Sequence, residues 1–415
     1  MFYERTISPI INKINETFPV LILTGPRQVG KTTLLTHLAS DERKVVSLDN
    51  PTIRATAKND PEMFLQRYAP PVLIDEVQYA PELFDYIKVY VDREKRCGDF
   101  WLTGSQTFHM MKDVTQSLAG RAGIVRMLGL SNSEIGGQHF SPFAMDVDEL
   151  TERMTVARRM SVTEVYERIF KGSMPRLYEN ESIDRAQYYE SYIETYISRD
   201  VKDLSQIGDE MTFLNFLSVV AARTATNVNY EVLGSEVGVS APTAKKWLSV
   251  LVSSGLVVLI QPYSNNLLKR VIKAPRMYFL DTGLCAHLTR WTSPQLLEAG
   301  AMDGAFFETW VVSEIYKSYI NGGYSQPPLY FYRDSNKKEI DLIIYQDGVL
   351  TPIEIKKSSA PRSATKNFSA LTPIEEPGDP SDEVKAKIGQ GAVICLPVDL
   401  LPIDRKNWYV PAWIV

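Results

Sequence analysis

The amino-acid sequence predicts an α/β protein in which a parallel sheet is followed by a helical unit and a second α/β domain. Three observations lead to this fold class. Short apolar runs alternate with helical patterns over roughly the first 130 residues, two helical patterns meet at Gly238, and strand-like segments with alternating acids follow Lys338. We expect a sheet domain at 1–145, a helical lid or linker at 146–205, a helical unit at 206–290 and an α/β domain at 291–415.

The composition is typical of a soluble globular protein. The chain has 415 residues, of which 44% are hydrophobic and 23% charged, and this length suggests more than one core. It has no uncharged apolar stretch long enough to span a bilayer, no signal-peptide pattern, and three scattered cysteines. We expect a cytoplasmic protein without membrane contact. Because the net charge is −5, any nucleic-acid contact must come from a local basic patch.

A phosphate-binding loop follows the first apolar run. The runs read as strands covered on both faces, and they lie at 20–23, 45–48, 72–74, 100–102 and 124–128. The pattern G-x-x-x-x-G-K-[ST] stands between the first run and a helical pattern, which is the context that this motif requires. The predicted nucleotide-binding residues are Gly25, Pro26, Arg27, Gln28, Val29, Gly30, Lys31, Thr32 and Thr33. Backbone N–H groups would face phosphate oxygens, Lys31 would reach the β- and γ-phosphates, and Thr32 would ligate Mg²⁺.

Two carboxylates end the third apolar run. Asp75 is placed to hold Mg²⁺, and Glu76 to orient and deprotonate the attacking water. The alternative is a pair of solvated acids at a strand end, which is not favoured beside a complete phosphate-binding loop. The sequence therefore predicts that ATP is bound with Mg²⁺ and hydrolysed.

Two further positions are candidates for contacts with the reacting phosphate. The fourth run ends in Thr103-Gly104-Ser105-Gln106, where Ser105 could act as a sensor of the γ-phosphate or lie in an ordinary turn. Arg121 precedes the fifth run, and it could stabilise transition-state charge in its own subunit or a neighbouring one. A surface salt bridge is the equal alternative for Arg121.

These motifs together resemble a family of bacterial and archaeal AAA-type ATPases whose C-terminal half is a domain of unknown function. The resemblance rests on LTGPRQVGKTTLL, SLDNP, VLIDEVQYAPELF, LTGSQ and SLAGR, and it extends through 192–201 to the segment from 307 onward. It implies a P-loop core of the ASCE type, in which the catalytic glutamate lies on the strand beside the P-loop strand. It implies no particular biological task.

Residues 229–252 read as a helix-turn-helix. Gly238 supplies the turn, Ser240 caps the second helix, and Pro242 fits its first turn. Segments at 255–260 and near 269–273 would form a hairpin wing. Between residues 212 and 276, seven Lys or Arg stand against two Glu, a local charge of +5 that favours phosphate contacts. The alternative is a winged helix that packs against protein, with solvated basic residues.

The last domain contains acids at strand spacing. We expect Ile340, Leu342 and Ile344 on one face of a strand and Asp341 on the other, with Glu354 and Lys356 together on the next strand. Glu308 lies on the apolar face of a helix, where an unpaired carboxylate would be costly.

This arrangement resembles the metal site of PD-(D/E)xK nucleases, whose carboxylates hold Mg²⁺ and whose lysine activates water. Glu308, Asp341 and Glu354 would then form a second metal site with Lys356. An alternative is a salt-bridged strand pair in an inactive nuclease fold. Pairing of Asp341 with a distant arginine would favour that alternative.

The predicted architecture is a P-loop NTPase core, a winged-helix unit and a restriction-endonuclease-like domain. The predicted function is Mg²⁺-dependent ATP hydrolysis coupled to DNA binding or processing, with possible homo-oligomers. Two alternatives remain. One is an ATP-driven switch that signals to a protein partner, and the other is a DNA-binding scaffold with vestigial ATPase chemistry.

Overall fold

The computed structural model describes residues 2–104, 117–197, 210–264, 274–334, 336, 338–371 and 386–415. The α-helices are α1 (Ser8–Thr17), α2 (Lys31–Leu38), α3 (Pro51–Asn59), α4 (Pro61–Arg67), α5 (Leu83–Glu94), α6 (Asn132–Ile135), α7 (Val147–Val156), α8 (Val162–Lys171), α9 (Arg176–Glu179), α10 (Arg185–Tyr192), α11 (Glu210–Ala222), α12 (Tyr230–Ser235), α13 (Ala241–Ser253), α14 (Thr282–Leu288), α15 (Pro294–Ala299) and α16 (Asp303–Asn321). The strands are β1 (Val20–Thr24), β2 (Lys44–Ser47), β3 (Val72–Asp75), β4 (Phe100–Gly104), β5 (Ala122–Arg126), β6 (Thr226–Asn227), β7 (Val257–Pro262), β8 (Arg276–Phe279), β9 (Leu329–Arg333), β10 (Glu339–Gln346), β11 (Val349–Ile355), β12 (Lys387–Ile388), β13 (Gly391–Cys395), β14 (Leu401–Pro402) and β15 (Asn407–Pro411).

The first sheet contains the five strands expected from the apolar runs. All pairs are parallel and the order is β2-β3-β4-β1-β5. Every residue of β1, β3 and β4 is buried, because helices cover both faces of the sheet. One expectation is wrong. The strand that ends at Asp75 does not lie beside the P-loop strand, since β4 is hydrogen-bonded between them.

The segment expected to be a helical lid or linker is built into the main hydrophobic core. Helices α7 to α10 bury Tyr166 and Tyr189 completely. The Tyr189 hydroxyl donates a hydrogen bond of 2.8 Å to Asp281, which caps α14. These helices therefore connect the first sheet to the C-terminal half of the chain.

The helix-turn-helix expected at 229–252 is present. Asn229 caps α12, Gly238 has a φ of 75°, and the Ser240 side chain accepts from the Thr243 N–H at the start of α13. Ala244, Leu248 and Leu251 are buried along one face of α13. After these helices β7 and β8 form an antiparallel pair, and β8 also pairs with β6, which precedes α12. The stretch 269–273 expected in the wing lies outside the described residues.

The second sheet crosses the boundary drawn at residue 290. Strand β7 pairs in parallel with β9, so the strands after the helix-turn-helix and those of the last domain form one sheet. Its order over the described residues is β14-β15-β13-β11-β10-β9-β7-β8-β6, with β12 paired to β11. The units 206–290 and 291–415 thus share backbone hydrogen bonds.

A bulge changes the faces expected for β10. Strands β10 and β11 form the expected hairpin around Asp347 and Gly348, both with positive φ. The register of β10 against β9 shifts between Ile340 and Ile343. Ile340 therefore packs with Ile343 in a separate small core, whereas Leu342 and Ile344 face the main core.

In the part of the chain that the structure describes, no helix combines the length and the apolar character that a membrane span needs.

Candidate functional site

Two glycines give the phosphate-binding loop its shape between β1 and α2. Gly25 has a φ of 143°, and a Cβ there would lie 2.0 Å from the Met127 carbonyl oxygen. Gly30 has a φ of 93° and directly precedes α2. Side chains would be strained or would clash at both positions, so the loop can turn its N–H groups inward only with glycine there.

The Lys31 side chain lies against the backbone of the phosphate-binding loop itself. Lys31 is buried, and its Nζ donates to the carbonyl oxygens of Gly25 at 3.0 Å and Pro26 at 2.8 Å. Arg5 donates to the Val29 carbonyl at 3.0 Å, and Tyr188 of α10 donates to the Gln28 side chain at 2.7 Å. The loop is therefore braced from the N-terminus and from α10.

Asp75 is the centre of a set of hydroxyl contacts at the carboxyl end of the sheet. Thr32 donates to its Oδ1 at 2.6 Å, Ser47 of β2 donates to its Oδ2 at 3.2 Å, and Thr103 of β4 also donates to Oδ1. Hydroxyl and carboxylate oxygens are the ligands that Mg²⁺ takes in nucleotide sites, so Thr32 and Asp75 fit the predicted metal. Ser47 was not predicted, because its closeness to Asp75 depends on the order of the strands.

Glu76 follows the strand in a left-handed conformation, with a φ of 57°. Its backbone N–H donates to the Thr103 hydroxyl at 3.2 Å, and its carboxylate accepts from the Gln78 amide. Thr103 thus holds both Asp75 and Glu76. Ser105, the predicted sensor, lies outside the described residues.

Arg121 lies at the wrong end of the sheet to reach a phosphate in its own chain. Its carbonyl accepts from the Val20 N–H at the start of β1, whereas the phosphate-binding loop follows the end of β1. Its guanidinium pairs with Asp92 of α5 at 2.5 and 2.9 Å. A role in the same subunit is therefore wrong, and the salt bridge is observed. A contact with a neighbouring subunit stays a prediction.

An arginine that the sequence analysis missed lies at the correct end. Arg126 is the last residue of β5 and pairs in register with Thr24, directly before the loop. The sequence analysis placed Arg126 in the middle of the apolar run 124–128, whereas β5 ends at this residue. Its importance depends on β5 being the neighbour of β1, which only the sheet order shows.

The C-terminal acids come together as the spacing predicted. Lys356 Nζ lies 3.2 Å from Asp341 Oδ2 and 2.7 Å from Glu354 Oε1, and the Ile355 N–H donates to Asp341 at 2.9 Å. Asp341 and Glu354 are both buried. Glu308 joins them from α16.

A buried arginine that was not predicted occupies the centre of this acidic cluster. Arg276 of β8 lies 3.2 Å from Glu308 and 3.8 Å from Asp341, and it pairs with Glu339. Tyr278 donates to Glu308 at 2.7 Å. The cluster therefore joins β8 to β10 and α16.

Burial decides the titration of this cluster. Burial, and then the charge of Asp341, raise the pKa of both Glu308 and Glu354 to about 7. Burial opposes the charge of Lys356, but Asp341 and Glu354 outweigh it and raise the pKa of the lysine. The cluster thus holds more negative charge than it can easily keep ionised.

A second metal does not fit this arrangement. Among the described residues, no group of three or more His, Cys, Asp or Glu side chains is placed to hold a metal ion. Arg276 and Tyr278 donate to Glu308, and Lys356 pairs with Glu354 Oε1, whereas Glu354 Oε2 has no hydrogen-bond partner among the described residues. The distant arginine supplies the positive charge that a metal would bring.

The basic surface of the helix-turn-helix is smaller than its sequence suggested. Lys245 and Lys246 are exposed on α13. Arg223 is paired with Glu236, and Arg276 is buried in the acidic cluster. The other three basic residues of the count lie in 265–273, outside the described residues.

Comparison with known families agrees with the geometry of the first sheet. Residues 17–136 match the family described as "AAA domain". Residues 162–295 and 303–415 match two families described as domains of unknown function, DUF8612 and DUF4143. Together with the arrangement of Lys31, Thr32 and Asp75, the first match supports an AAA-type ATPase.

The chain is also similar to individual proteins. It is 28% identical over 360 residues to "Uncharacterized protein Rv2008c" of Mycobacterium tuberculosis and to "Uncharacterized protein Mb2031c" of Mycobacterium bovis, covering 86% of this chain and 74% of each relative. Among solved structures, the RuvB Holliday junction branch migration motor of Thermotoga maritima aligns with a TM-score of 0.28 and 15% identity, over 61% of this chain and 88% of that chain. The ADP form of the Aeropyrum pernix ORC2 protein aligns with a TM-score of 0.29 and 14% identity, over 72% and 91%.

Proposed function

We propose that this protein is a Mg²⁺-dependent ATPase whose hydrolysis is coupled to DNA binding through a winged helix. One observation carries the enzymatic part. Lys31, Thr32, Asp75 and Glu76 converge where the phosphate-binding loop meets the carboxyl end of the sheet. These side chains supply the phosphate-binding cation, the Mg²⁺ ligands and the water-positioning carboxylate of a P-loop ATPase.

Each residue has a distinct task in the hydrolysis. Loop N–H groups and Lys31 bind the β- and γ-phosphates, and Thr32 with Asp75 would hold Mg²⁺, which neutralises phosphate charge when bound. Glu76 orients a water molecule and accepts its proton. The water oxygen then bonds to the γ-phosphorus while the bond between that phosphorus and the β–γ bridging oxygen breaks. The products are ADP and inorganic phosphate.

Two substitutions test this division of tasks. Lys31→Ala should weaken or abolish ATP binding, because the phosphates lose their cation. Glu76→Gln should bind ATP and scarcely release phosphate, because the amide cannot take a proton. Nucleotide titration and phosphate release measure the two effects. Unchanged turnover in Glu76→Gln would remove this glutamate from the mechanism.

The DNA part of the proposal rests on α12, α13 and the strands that follow. A helix-turn-helix followed by paired strands is the arrangement of a winged helix, and its second helix commonly enters the major groove. Lys245 and Lys246 lie exposed on that helix. We infer that they contact backbone phosphates, which would make binding weaker as salt rises.

A charge-matched pair of double variants tests this contact. Lys245→Glu/Lys246→Glu should weaken duplex DNA binding and any stimulation of ATP turnover by DNA. Lys13→Glu/Lys58→Glu changes the net charge equally at exposed positions on other helices, and it should bind DNA like the wild type. Equal weakening in both double variants would show a general charge effect and assign the winged helix to protein packing.

A second candidate function is favoured by Arg276. Because this arginine pairs with the carboxylates of the predicted nuclease site, the C-terminal domain is better suited to an ATP-driven switch that contacts a protein partner. Incubating DNA with the protein and Mg²⁺ or Mn²⁺ should then yield no cleavage. Cleavage that Asp341→Asn abolishes, with ATP turnover intact, would instead establish a nuclease.

An ATP site that is shared between two subunits is compatible with this proposal. If Arg121 acts on the ATP of a neighbouring copy, a mixture of Arg121→Ala and Lys31→Ala proteins should regain activity that each lacks alone. No recovery, with subunit exchange demonstrated, would contradict sharing.

A further inference from the structure

The Arg126 side chain carries a positive charge beside the phosphate-binding loop. Within the described part of the chain, no carboxylate pairs with it, and its Nη1 donates to the Tyr316 hydroxyl of α16 at 3.2 Å. The side chain is half-buried. A partly desolvated guanidinium with only a neutral partner favours the approach of an anion.

The Arg126 guanidinium and the phosphate-binding loop both lie close to Gly255, which follows α13. A Cβ on Gly255 would lie 3.0 Å from Pro26 Cγ and 3.3 Å from Arg126 Nη2. The guanidinium and the ring of the second loop residue therefore converge on one point. The anion that binds in this loop is the phosphate chain of the nucleotide.

The partner of Arg126 belongs to the helix that connects the two halves of the molecule. Helix α16 carries Glu314, which accepts from the Asn132 N–H at 2.7 Å, and Lys317, which donates to the Leu130 carbonyl at 3.1 Å. At its other end it carries Glu308 of the acidic cluster. A change at Tyr316 therefore acts on an element that reaches both sites.

We propose that Arg126 binds the phosphates of ATP, and that it exchanges its hydrogen bond with Tyr316 for one with a phosphate oxygen. ATP binding thereby breaks the hydrogen bond between Arg126 of β5 and Tyr316 of α16. Helix α16 then transmits the effect of ATP binding to the C-terminal domain. The inference rests on the proposed ATPase function. It assigns to Arg126 the contact that Arg121 cannot make in its own chain.

Nucleotide affinity of the full-length protein tests the first half of the proposal. Arg126→Ala should weaken binding of a fluorescent ATP analogue with Mg²⁺ by roughly 10- to 100-fold, the value of a lost charge-assisted hydrogen bond. Arg126→Lys should recover part of this loss, because it keeps the charge. Arg93→Ala, an exposed arginine of α5 in the same domain, is the matched control and should bind like the wild type.

The Tyr316→Phe variant tests the exchange. It removes only the neutral acceptor of Arg126, so affinity should stay within about threefold of the wild type or increase. A loss as large as that of Arg126→Ala would overturn the exchange, because Tyr316 would then be needed to position the arginine. Thermal unfolding without nucleotide separates stability from binding. Both variants could unfold at equally lowered temperatures while ATP still stabilises them as much as it stabilises the wild type. That result would show that the contact between Arg126 and Tyr316 is purely structural, and it would overturn the proposal.

Lys31→Ala separates failure of this inference from failure of the ATPase proposal. If Lys31→Ala loses ATP binding while both Arg126 variants bind like the wild type, the role of Arg126 is wrong and the ATPase proposal stands. If the wild type binds no ATP, both are wrong.

Discussion

Replacing Arg276 by methionine should destabilise the C-terminal half strongly. Arg276 is only 5% exposed, and its guanidinium lies against Glu308, Glu339 and Asp341. Methionine keeps much of the length of the side chain, whose charged end lies 5.0 Å from the centre of the Phe331 ring. The substitution therefore removes charge more than volume.

The expected magnitude follows from burial. Removing one partner of a buried ion pair leaves the other uncompensated and costs about 3–5 kcal/mol in the free energy of unfolding. The matched control is Arg333→Met, whose side chain is 44% exposed and lies 3.8 Å from the same Glu339. A surface pair of this kind is worth about 0–1 kcal/mol, so the control should unfold almost like the wild type.

The cost should also depend on pH. Since burial raises the pKa of Glu308 to about 7, this carboxyl can take up a proton at pH 5 and so avoid an uncompensated charge when Arg276 is absent. At pH 8 the wild-type carboxyl is ionised and depends on Arg276 for compensation, so the loss is largest there. Urea denaturation followed by tryptophan fluorescence at pH 5 and pH 8 measures the difference for both variants.

Two results would refute this account. Equal, small costs for Arg276→Met and Arg333→Met would show that the buried pairs do not stabilise the protein. A rise in the stability of the wild type with increasing Mn²⁺ would show that metal enters the cluster despite Arg276. The nuclease hypothesis would then regain support.

Three further outcomes are expected. Thr103→Val should lower ATP turnover roughly five- to tenfold at near-normal ATP affinity, because Asp75 loses a hydrogen-bond donor and the Glu76 N–H loses its acceptor. Phosphate release measures the turnover, and an unchanged rate would contradict this prediction. Gly255→Ala should destabilise the protein by roughly 1–2 kcal/mol in thermal unfolding and alter ATP affinity. The reason is that φ at this position is +73° and the new methyl group would press on the Pro26 ring. Stability and affinity equal to those of the wild type would argue against a contact between Gly255 and Pro26. Glu354→Gln should be more stable than the wild type at pH 8, on the order of 1–3 kcal/mol, and similar near pH 4. Burial, and then Asp341, raise the pKa of Glu354 to about 7 in the folded state. The stabilising contribution of Glu354 is therefore present below its unfolded pKa and is lost as the pH rises through about 7. A wild type that gains stability relative to the variant from about pH 5 to pH 8 would contradict this prediction.

The parts that the sequence predicted correctly depend on residues close together in the chain. The strand, glycines, lysine and threonine of the phosphate-binding loop occupy one continuous segment, and an apolar strand ending in Asp75 and Glu76 needs no distant information. The β10–β11 hairpin is equally local, since Asp347 and Gly348 turn the chain between two adjacent runs. Local periodicity and turn chemistry are sufficient in such cases.

The sequence by itself thus determined the identity of the phosphate-binding loop, the existence of its carboxylate partners and the helix-turn-helix. Tertiary structure decided which side chains from other elements reach these sites. The pairing of Thr103 and Ser47 with Asp75 follows from strand order, and the union of the last two segments follows from the contact of β7 with β9. Arg276 could be counted in the sequence as part of a basic patch, but folding buries it among acids. A buried carboxylate cluster needs compensating positive charge, and β8 supplies an arginine to Glu308 of α16 and Asp341 of β10.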